Sequence, residues 1–219
     1  MKPFLQTIFP TPILVGATDN TEICQKICDL AYAFKTKATD ASLVSEQWHR
    51  GTKSSSQEDF EKKGVTSFNS GSLTDKPEWS EVVTFIYSFA SAMIQSVNDA
   101  DTKPAFMNMW TTIYPPGAFV PEHVHSNALL SGVFYAKAAK NCGNIVFRDP
   151  ASVAKIMFIR NMREFPAVDT LHSHEVKAGS MVIFPAWLPH SAEVNESTED
   201  RIIISFNLNM VDKRKPGMT

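Results

Sequence analysis

Residues 106–135 read FMNMWTTIYPPGAFVPEHVHSNALLSGVFY, and this stretch decides the fold. Its two ends, Phe106–Tyr114 and Leu129–Tyr135, are rich in β-branched and aromatic residues, which is typical of short strands joined by turns. Further β-prone segments follow between Pro, Gly and Asn residues: Asn144–Phe147, Met157–Ile159, Ser180–Phe184 and Arg201–Asn207. Because no helix alternates with these segments to form βαβ units, the pattern predicts a β-sandwich or barrel.

The N-terminal half predicts an extended stretch and two helices. Residues 4–15 contain two prolines and predict extended chain. Asn20 and Thr21 offer a helix cap, and a second helix is predicted to follow Pro77. Apolar residues recur at helical spacing in both segments. We therefore predict one domain over residues 1–219. In it, residues 1–103 form an N-terminal strand and buttressing helices, 104–212 the β-rich core and 213–219 a tail.

Composition excludes several classes of function. The 219 residues carry a formal net charge of -2, so no broad basic field for nucleic acid or an anionic membrane is expected. Apolar runs are shorter than the roughly 20 residues that span a bilayer, and we recognise no signal peptide. The three cysteines do not form a disulfide pattern. We expect a soluble, cytoplasmic protein.

Three histidines are candidate metal ligands. His123 and His125 are two residues apart, so on a strand both side chains would point to the same face. His190 follows a proline-framed turn after the segment Ser180–Phe184 and is the best third ligand. Neutral imidazoles suit iron, zinc, copper or nickel. A second pair, His172 and His174, has no matching third ligand and is interpreted as surface or cavity rim.

Arg201 begins an otherwise apolar strand, eleven residues after His190. Burying a guanidinium without an anion is costly, so this residue is predicted to bind an acidic co-substrate through its planar fork. Ser205 lies four residues on, on the same face of the strand, and can add a hydroxyl. The alternative is that Arg201 reaches solvent or pairs with a surface carboxylate.

These residues together resemble the iron(II)/2-oxoglutarate-dependent oxygenase superfamily. Within it, the chain is similar to bacterial and phage oxygenases with the pattern Pro-x-His-x-His followed by Leu-Ser-Gly-Val-x-Tyr, which here spans Pro121–His125 and Leu130–Tyr135. The resemblance implies a mainly β fold with flanking helices, namely the double-stranded β-helix (jelly roll, a cupin-like barrel). It also implies Fe(II) as cofactor, 2-oxoglutarate and O2 as co-substrates, and leaves open that a virus encodes the protein.

The resemblance also implies roles for individual residues. The segment from Tyr114 to His125 is similar to one in prolyl hydroxylases, which implies Tyr114 as a hydroxyl donor to the far carboxylate of 2-oxoglutarate. His190 corresponds to the third metal ligand and Arg201 to the salt-bridge partner of that carboxylate. The implied reaction is oxidative decarboxylation to succinate and carbon dioxide, coupled to hydroxylation of an unidentified substrate.

One position departs from the superfamily. His125 stands where Asp or Glu is usual, which leaves the site one negative charge short and should weaken iron(II) binding. The chain then has a working three-histidine site, or has lost the acidic ligand, or uses Asn127 or Glu122 instead. Glu122 precedes His123 and should point to the opposite face of a strand. Asn127 is a candidate to hydrogen-bond 2-oxoglutarate or, alternatively, to cap a turn.

Other side chains are expected around the cavity. We predict that Asn127, Ser131 and Tyr135 border it. Trp110 and Trp187 are expected in the core, and Trp187 is also a candidate for the cavity lining. Residues 50–64 and 148–174 are predicted to form the rim, where substrate specificity would be set.

Two other classes of function are compatible with the sequence. A cupin-like metalloprotein would bind metal without 2-oxoglutarate, but the glutamate expected soon after its histidine pair is missing here. A structural jelly-roll protein would bind neither. The expected partners are a small-molecule co-substrate and substrate, not nucleic acid or membrane, and a homodimer would be unsurprising.

Overall fold

The computed structural model describes residues 10–37, 64–98, 101–151 and 170–212. In these ranges two antiparallel sheets face each other as a double-stranded β-helix. Its strands are β1 (Leu14–Ala17), β2 (Val65–Thr66), β3 (Thr102–Tyr114), β4 (Val120–His123), β5 (Leu130–Lys137), β6 (Ile145–Arg148), β7 (Leu171–His174), β8 (Ser180–Pro185), β9 (His190–Ala192) and β10 (Arg201–Asp212). The major sheet has the order β1-β8-β5-β10-β3-β2, and the minor sheet has the order β4-β9-β6-β7. The predicted fold class is confirmed.

Strand β10 shows how the sequence separates the two faces of the major sheet. Ile202, Ile204 and Phe206 are completely buried on the face that packs against the helices. The alternate residues Ile203 and Ser205 line the space between the sheets. Since successive side chains of a strand point to opposite faces, one apolar strand serves both the core and the cavity.

In the described part of the chain, two α-helices cover the outer face of the major sheet, α1 (Thr21–Lys37) and α2 (Ser80–Gln95). The predicted cap of α1 is confirmed, because Asn20 Oδ1 accepts a hydrogen bond from the backbone N–H of Ile23 at 3.0 Å. The apolar stripe of each helix is buried against the sheet: Ile23, Ile27, Ala31, Val82, Ile86, Ala90 and Ile94. The helices therefore hold the sheet from outside and leave its inner face to the site.

The strand that begins the β-rich core is longer than predicted. β3 starts at Thr102, although Pro104 lies within it. Proline lacks the N–H of a strand ladder and is tolerated on a free edge. In the described part of the chain, the first half of β3 pairs only with β10, because β2 covers only Thr112 and Ile113. Met210 of β10 lies opposite Pro104, and the other side of β3 is free there within the described residues.

The N-terminal half contributes strands as well as helices. β1 pairs with β8, and β2 pairs with β3, so both extend the major sheet. The division at residue 103 stays a prediction. The predicted strand Met157–Ile159, residues 50–63 of the predicted rim and the tail 213–219 lie outside the described residues. None of the described helices is long and apolar enough to cross a membrane.

Candidate metal centre and its cavity

Three imidazoles converge between the two sheets. His123, at the end of β4, is the direct cross-strand partner of His190, at the start of β9. His125 follows two residues after β4 ends, and its backbone N–H donates to the carbonyl of Ala186 at 2.9 Å. The candidate ligand atoms of the three residues lie within 4.8 Å of one another. The expectation that both residues of the pair lie on a strand is wrong for His125, yet its ring still joins the group.

Each imidazole already has one ring nitrogen engaged. His123 Nδ1 lies 2.9 Å from the carbonyl oxygen of Pro121, and His190 Nδ1 lies 2.9 Å from that of Leu188. His125 Nδ1 lies 2.7 Å from Oδ1 of Asn207. All three partners are carbonyl-type oxygens, which can only accept, so each Nδ1 must carry the proton. Each Nε2 therefore has a lone pair available for a metal ion, as in most histidine metal sites.

The surroundings favour the neutral form of His190 and His125. Burial, followed by the nearby His123, lowers the pKa of His190 to about 3. Burial also lowers the pKa of His125, against the opposite effect of its hydrogen bond to Asn207. A metal ligand must be an unprotonated imidazole. The donor set thus fits a divalent transition metal, and iron is among the metals that imidazole suits.

The imidazoles open into a cavity of about 760 Å³. Trp110 forms part of its wall and stacks on His125, with ring centroids 6.0 Å apart. In the described ranges the lining has no Lys, Arg, Asp or Glu side chain. Its polar lining comprises Thr66, Asn69, Asn108, Tyr114, Ser126, Ser131, Tyr135, Ser191, Ser205, Asn207 and the three histidines. A cavity of this size can hold a small organic acid together with part of a second molecule.

Arg201 is buried behind the cavity wall, against the ring of Tyr114. The side chain is 1% exposed and forms no ion pair with any residue that the structure describes. Its Nη1 donates to the carbonyls of Cys142 at 2.7 Å, Gly143 at 3.2 Å and Glu193 at 3.3 Å. Nη2 is buried and has no hydrogen-bond partner within the described residues. A buried cation with an unused donor is costly unless an anion binds it, so this group fits a carboxylate ligand.

Two tyrosines lie between this cation and the cavity. Arg201 is not itself among the lining residues, but Tyr114 and Tyr135 both are. The guanidinium carbon lies 4.8 Å from the centroid of the Tyr114 ring. Burial raises the pKa of Tyr114 to about 12, against the lowering effect of Arg201, and burial likewise raises the pKa of Tyr135. Both hydroxyls therefore stay protonated and can donate to an anion.

The other predicted site residues divide into two groups. Ser205 and Ser131 line the cavity, as does Tyr135. Asn127 does not: it is exposed, with a φ of 67°, a left-handed turn conformation that asparagine tolerates. The structure thus places it in a turn outside the cavity lining.

The structure corrects the expectation for Trp187. Its side chain is 54% exposed and lies outside the cavity lining, so the expectation of a core residue is wrong. The turn Pro185–Leu188, closed by a 2.9 Å backbone hydrogen bond, points Ala186 and Leu188 inward and leaves the residue between them outside. Trp110, in contrast, is 9% exposed and forms both core and cavity wall.

The structure also shows where the alternative metal ligands lie. Glu122 is exposed and accepts a hydrogen bond from Arg148 Nε at 2.5 Å, away from the three histidines. His172 and His174 lie on the edge strand β7, and within the described residues they belong to no group of three potential ligands.

Asn207 is a site residue that the sequence analysis missed. It lines the cavity, and its Oδ1 accepts hydrogen bonds from both His125 and Ser131. The sequence did contain a signal for this. Three polar residues of this apolar strand, namely Arg201, Ser205 and Asn207, are separated by even numbers of positions and therefore point to the same face.

Comparison with known proteins agrees with this geometry. Residues 108–207 match the model of the family described as "Putative 2OG-Fe(II) oxygenase". None of the curated proteins compared matches the sequence.

Solved structures share the fold at low identity. AviO1 from Streptomyces viridochromogenes Tue57 is 16% identical, with a TM-score of 0.58 over 90% of each chain. A prolyl hydroxylase from Trichoplax adhaerens, in complex with a hypoxia inducible factor peptide fragment, is 11% identical, with a TM-score of 0.57 over 92% of this chain and 84% of that one. HygX from Streptomyces hygroscopicus, with nickel and 2-oxoglutarate bound, is 10% identical, with a TM-score of 0.53 over 91% and 83%. Residues 108–207 thus match a family of 2OG-Fe(II) oxygenases, and the chain shares the fold of these solved structures.

Proposed function

We propose that the protein oxidises its substrate at a three-histidine iron(II) site, with His123, His125 and His190 binding the ion through their Nε2 atoms. The single observation that supports this most is that the three rings have the same hydrogen-bonding pattern and lie close together. Each donates its Nδ1 proton to a fixed oxygen, and the three lie within 4.8 Å of one another. Such an arrangement presents three Nε2 lone pairs to one point, as a bound metal ion requires.

We further propose that 2-oxoglutarate lies between the histidines and Arg201. The buried Nη2 would receive the carboxylate far from the metal, and the Tyr114 hydroxyl would donate to the same group. Ser205 is half-buried in the cavity wall on β10 and would add a third donor. The tyrosine rings and apolar neighbours such as Val133 and Ile203 exclude water from this end of the cavity.

Iron(II), when bound with 2-oxoglutarate and O2, supplies oxidative decarboxylation to succinate and carbon dioxide and the oxidising equivalent that hydroxylates a C–H bond. The chain itself contributes the fixed orientation of the three imidazoles. The backbone carbonyls of Pro121 and Leu188 and the amide of Asn207 hold the imidazoles, so that no reorganisation is needed when the ion binds.

The substrate is proposed to be a small molecule that is uncharged where it enters the cavity. Trp110, Phe68 and Asn108 line the cavity, and none of the described lining residues has a charged side chain. HygX has been solved with hygromycin B bound, and the Trichoplax prolyl hydroxylase with a peptide, so this fold admits both kinds of substrate. The homodimer, the absence of nucleic-acid partners and the cytoplasmic location stay predictions.

The test is turnover by purified protein with iron(II), ascorbate and 2-oxoglutarate, followed as succinate formation. We expect slow uncoupled turnover by the wild-type protein and none by His190→Ala or His123→Ala. His172→Ala is the matched control, because it removes an imidazole from the other edge of the minor sheet. It should turn over at the wild-type rate.

A thermal-shift series separates the alternatives. Ligands that bind only the folded state raise the melting temperature. The proposal expects protection by metal and further protection by 2-oxoglutarate. Protection by metal alone would indicate a cupin-like metalloprotein, and protection by neither would indicate a structural jelly roll.

A further inference from the structure

We infer that Asn207 is a positioning residue, whose side-chain carbonyl fixes the orientation and tautomer of His125 for metal binding. The inference rests on the proposed metal site and deepens it. Its effect would pass through the imidazole of His125, to which its amide oxygen is hydrogen-bonded.

The amide oxygen of Asn207 accepts two hydrogen bonds. His125 Nδ1 and Ser131 Oγ each lie 2.7 Å from Oδ1. Asn207 and Ser131 are also cross-strand partners in the major sheet, and both are buried, at 9% and 1% exposure. With the amide oxygen in this position, His125 Nδ1–H and the Ser131 hydroxyl are both donors to Asn207.

His125 depends on this contact more than the other two histidines depend on theirs. His123 and His190 donate to carbonyls of residues two positions earlier in their own segments. Their ring orientation is therefore set by local backbone. His125 lies beyond the end of β4 and reaches across to a side chain of the opposite sheet, 82 residues away in sequence. Its orientation can thus be changed without altering the backbone that carries it.

The chemical nature of the acceptor matters as well as its position. A neutral amide keeps the proton on His125 Nδ1 and adds no charge to a site that has three neutral ligands. A carboxylate at the same place would make a charge-assisted hydrogen bond and increase the basicity of Nε2. An alkyl side chain would leave the Nδ1–H without its acceptor in a half-buried position and free the ring to turn. Metal affinity should therefore follow the order Asp, Asn, Leu at position 207.

The experiment is titration with Co(II), monitored by its visible ligand-field spectrum, of the wild-type protein, Asn207→Asp, Asn207→Leu and Asn209→Leu. Asn209 is the matched control, because it lies on the same strand and its Oδ1 accepts from the backbone N–H of Leu129 at 3.0 Å. Partners of metal-binding histidines typically change affinity 10- to 100-fold, so Asn207→Leu should weaken Co(II) binding by about that factor. The Co(II) spectrum of Asn207→Leu should also change shape. Asn209→Leu should match the wild-type protein in both Co(II) affinity and spectrum.

A second readout is the imidazole N–H resonance of His125 in the Zn(II)-loaded protein, which should move upfield or exchange away in Asn207→Leu and move downfield in Asn207→Asp. Equal affinity and equal spectra for Asp, Asn and Leu would overturn the inference, as would any other order. If Asn207→Leu does not fold, the comparison of Asp with Asn decides alone. A wild-type protein that binds no Co(II) would instead refute the metal site itself, so the two failures are distinguishable.

Discussion

Arg201 lies over the ring of Tyr114, with its guanidinium carbon 4.8 Å from the ring centroid, and the two residues are cross-strand partners at the inner ends of β10 and β3. Cation–π contact of this kind stabilises a buried arginine without neutralising its charge. Three backbone carbonyls hold Nη1, which leaves Nη2 for a ligand. In the proposed binding mode, Nη2 would receive the far carboxylate of 2-oxoglutarate next to Tyr114.

Replacing this arginine by lysine tests that role. Arg201→Lys keeps the positive charge but loses the planar fork, so the concentration of 2-oxoglutarate needed for half-maximal succinate formation should rise about 10- to 100-fold. Co(II) affinity in the absence of 2-oxoglutarate should stay within about twofold of wild type. Arg148→Lys, at the exposed pair with Glu122, is the control and should leave both quantities unchanged. An unchanged 2-oxoglutarate requirement in Arg201→Lys would exclude Arg201 as the carboxylate partner.

Gly143 gives an indirect way to move the same guanidinium. It has a φ of +87°, and a Cβ there would lie 2.5 Å from the carbonyl oxygen of Glu193 and 2.8 Å from Arg201 Nη1. Gly143→Ala should lower the free energy of unfolding by about 1–3 kcal/mol and weaken 2-oxoglutarate binding, measured by denaturant melts and calorimetry. Gly71→Ala is the control, because its φ is +83° but nothing lies within 4 Å of the added Cβ. Gly71→Ala should lower the free energy of unfolding through backbone strain and leave 2-oxoglutarate binding unchanged.

The cap of α1 should affect stability and nothing else. Asn20→Ala removes the acceptor for the N–H of Ile23 and should reduce the free energy of unfolding by about 1 kcal/mol. Since α1 packs on the outer face of the major sheet, Co(II) affinity should not change. Thr21→Ala, an exposed neighbour, should be close to neutral. A drop in metal affinity for Asn20→Ala would show that the helices and the site are coupled.

Local patterns predicted much of this arrangement. The His-x-His pair, His190 and Arg201 could be recognised because their neighbours in sequence, namely prolines, a turn and an apolar strand, report the local structure. The cap at Asn20 was visible for the same reason. These features depend on a few adjacent residues, and sequence spacing describes them well.

Part of what was missed depends on contacts between distant segments. The partnership of Asn207 with His125 requires the two sheets to face each other in one register, which no local pattern specifies. The exposure of Trp187 follows from the direction of a single turn, and the extension of β3 past Pro104 follows from which edge of the sheet is free. Each is decided by tertiary structure and not by propensity.

The charge of the site leads to a last prediction. Three neutral imidazoles would leave a divalent cation without a compensating negative ligand, whereas bound 2-oxoglutarate brings two negative charges to the same cavity. Metal and co-substrate should therefore bind cooperatively, with 2-oxoglutarate raising Co(II) affinity by at least about tenfold and Co(II) raising 2-oxoglutarate affinity by the same factor, since linkage is reciprocal. His125→Asp adds a negative ligand, so Co(II) should bind more tightly alone and the coupling should shrink. Calorimetric titrations of each ligand, with and without the other, measure both quantities, and independent binding in the wild-type protein would contradict the electrostatic argument.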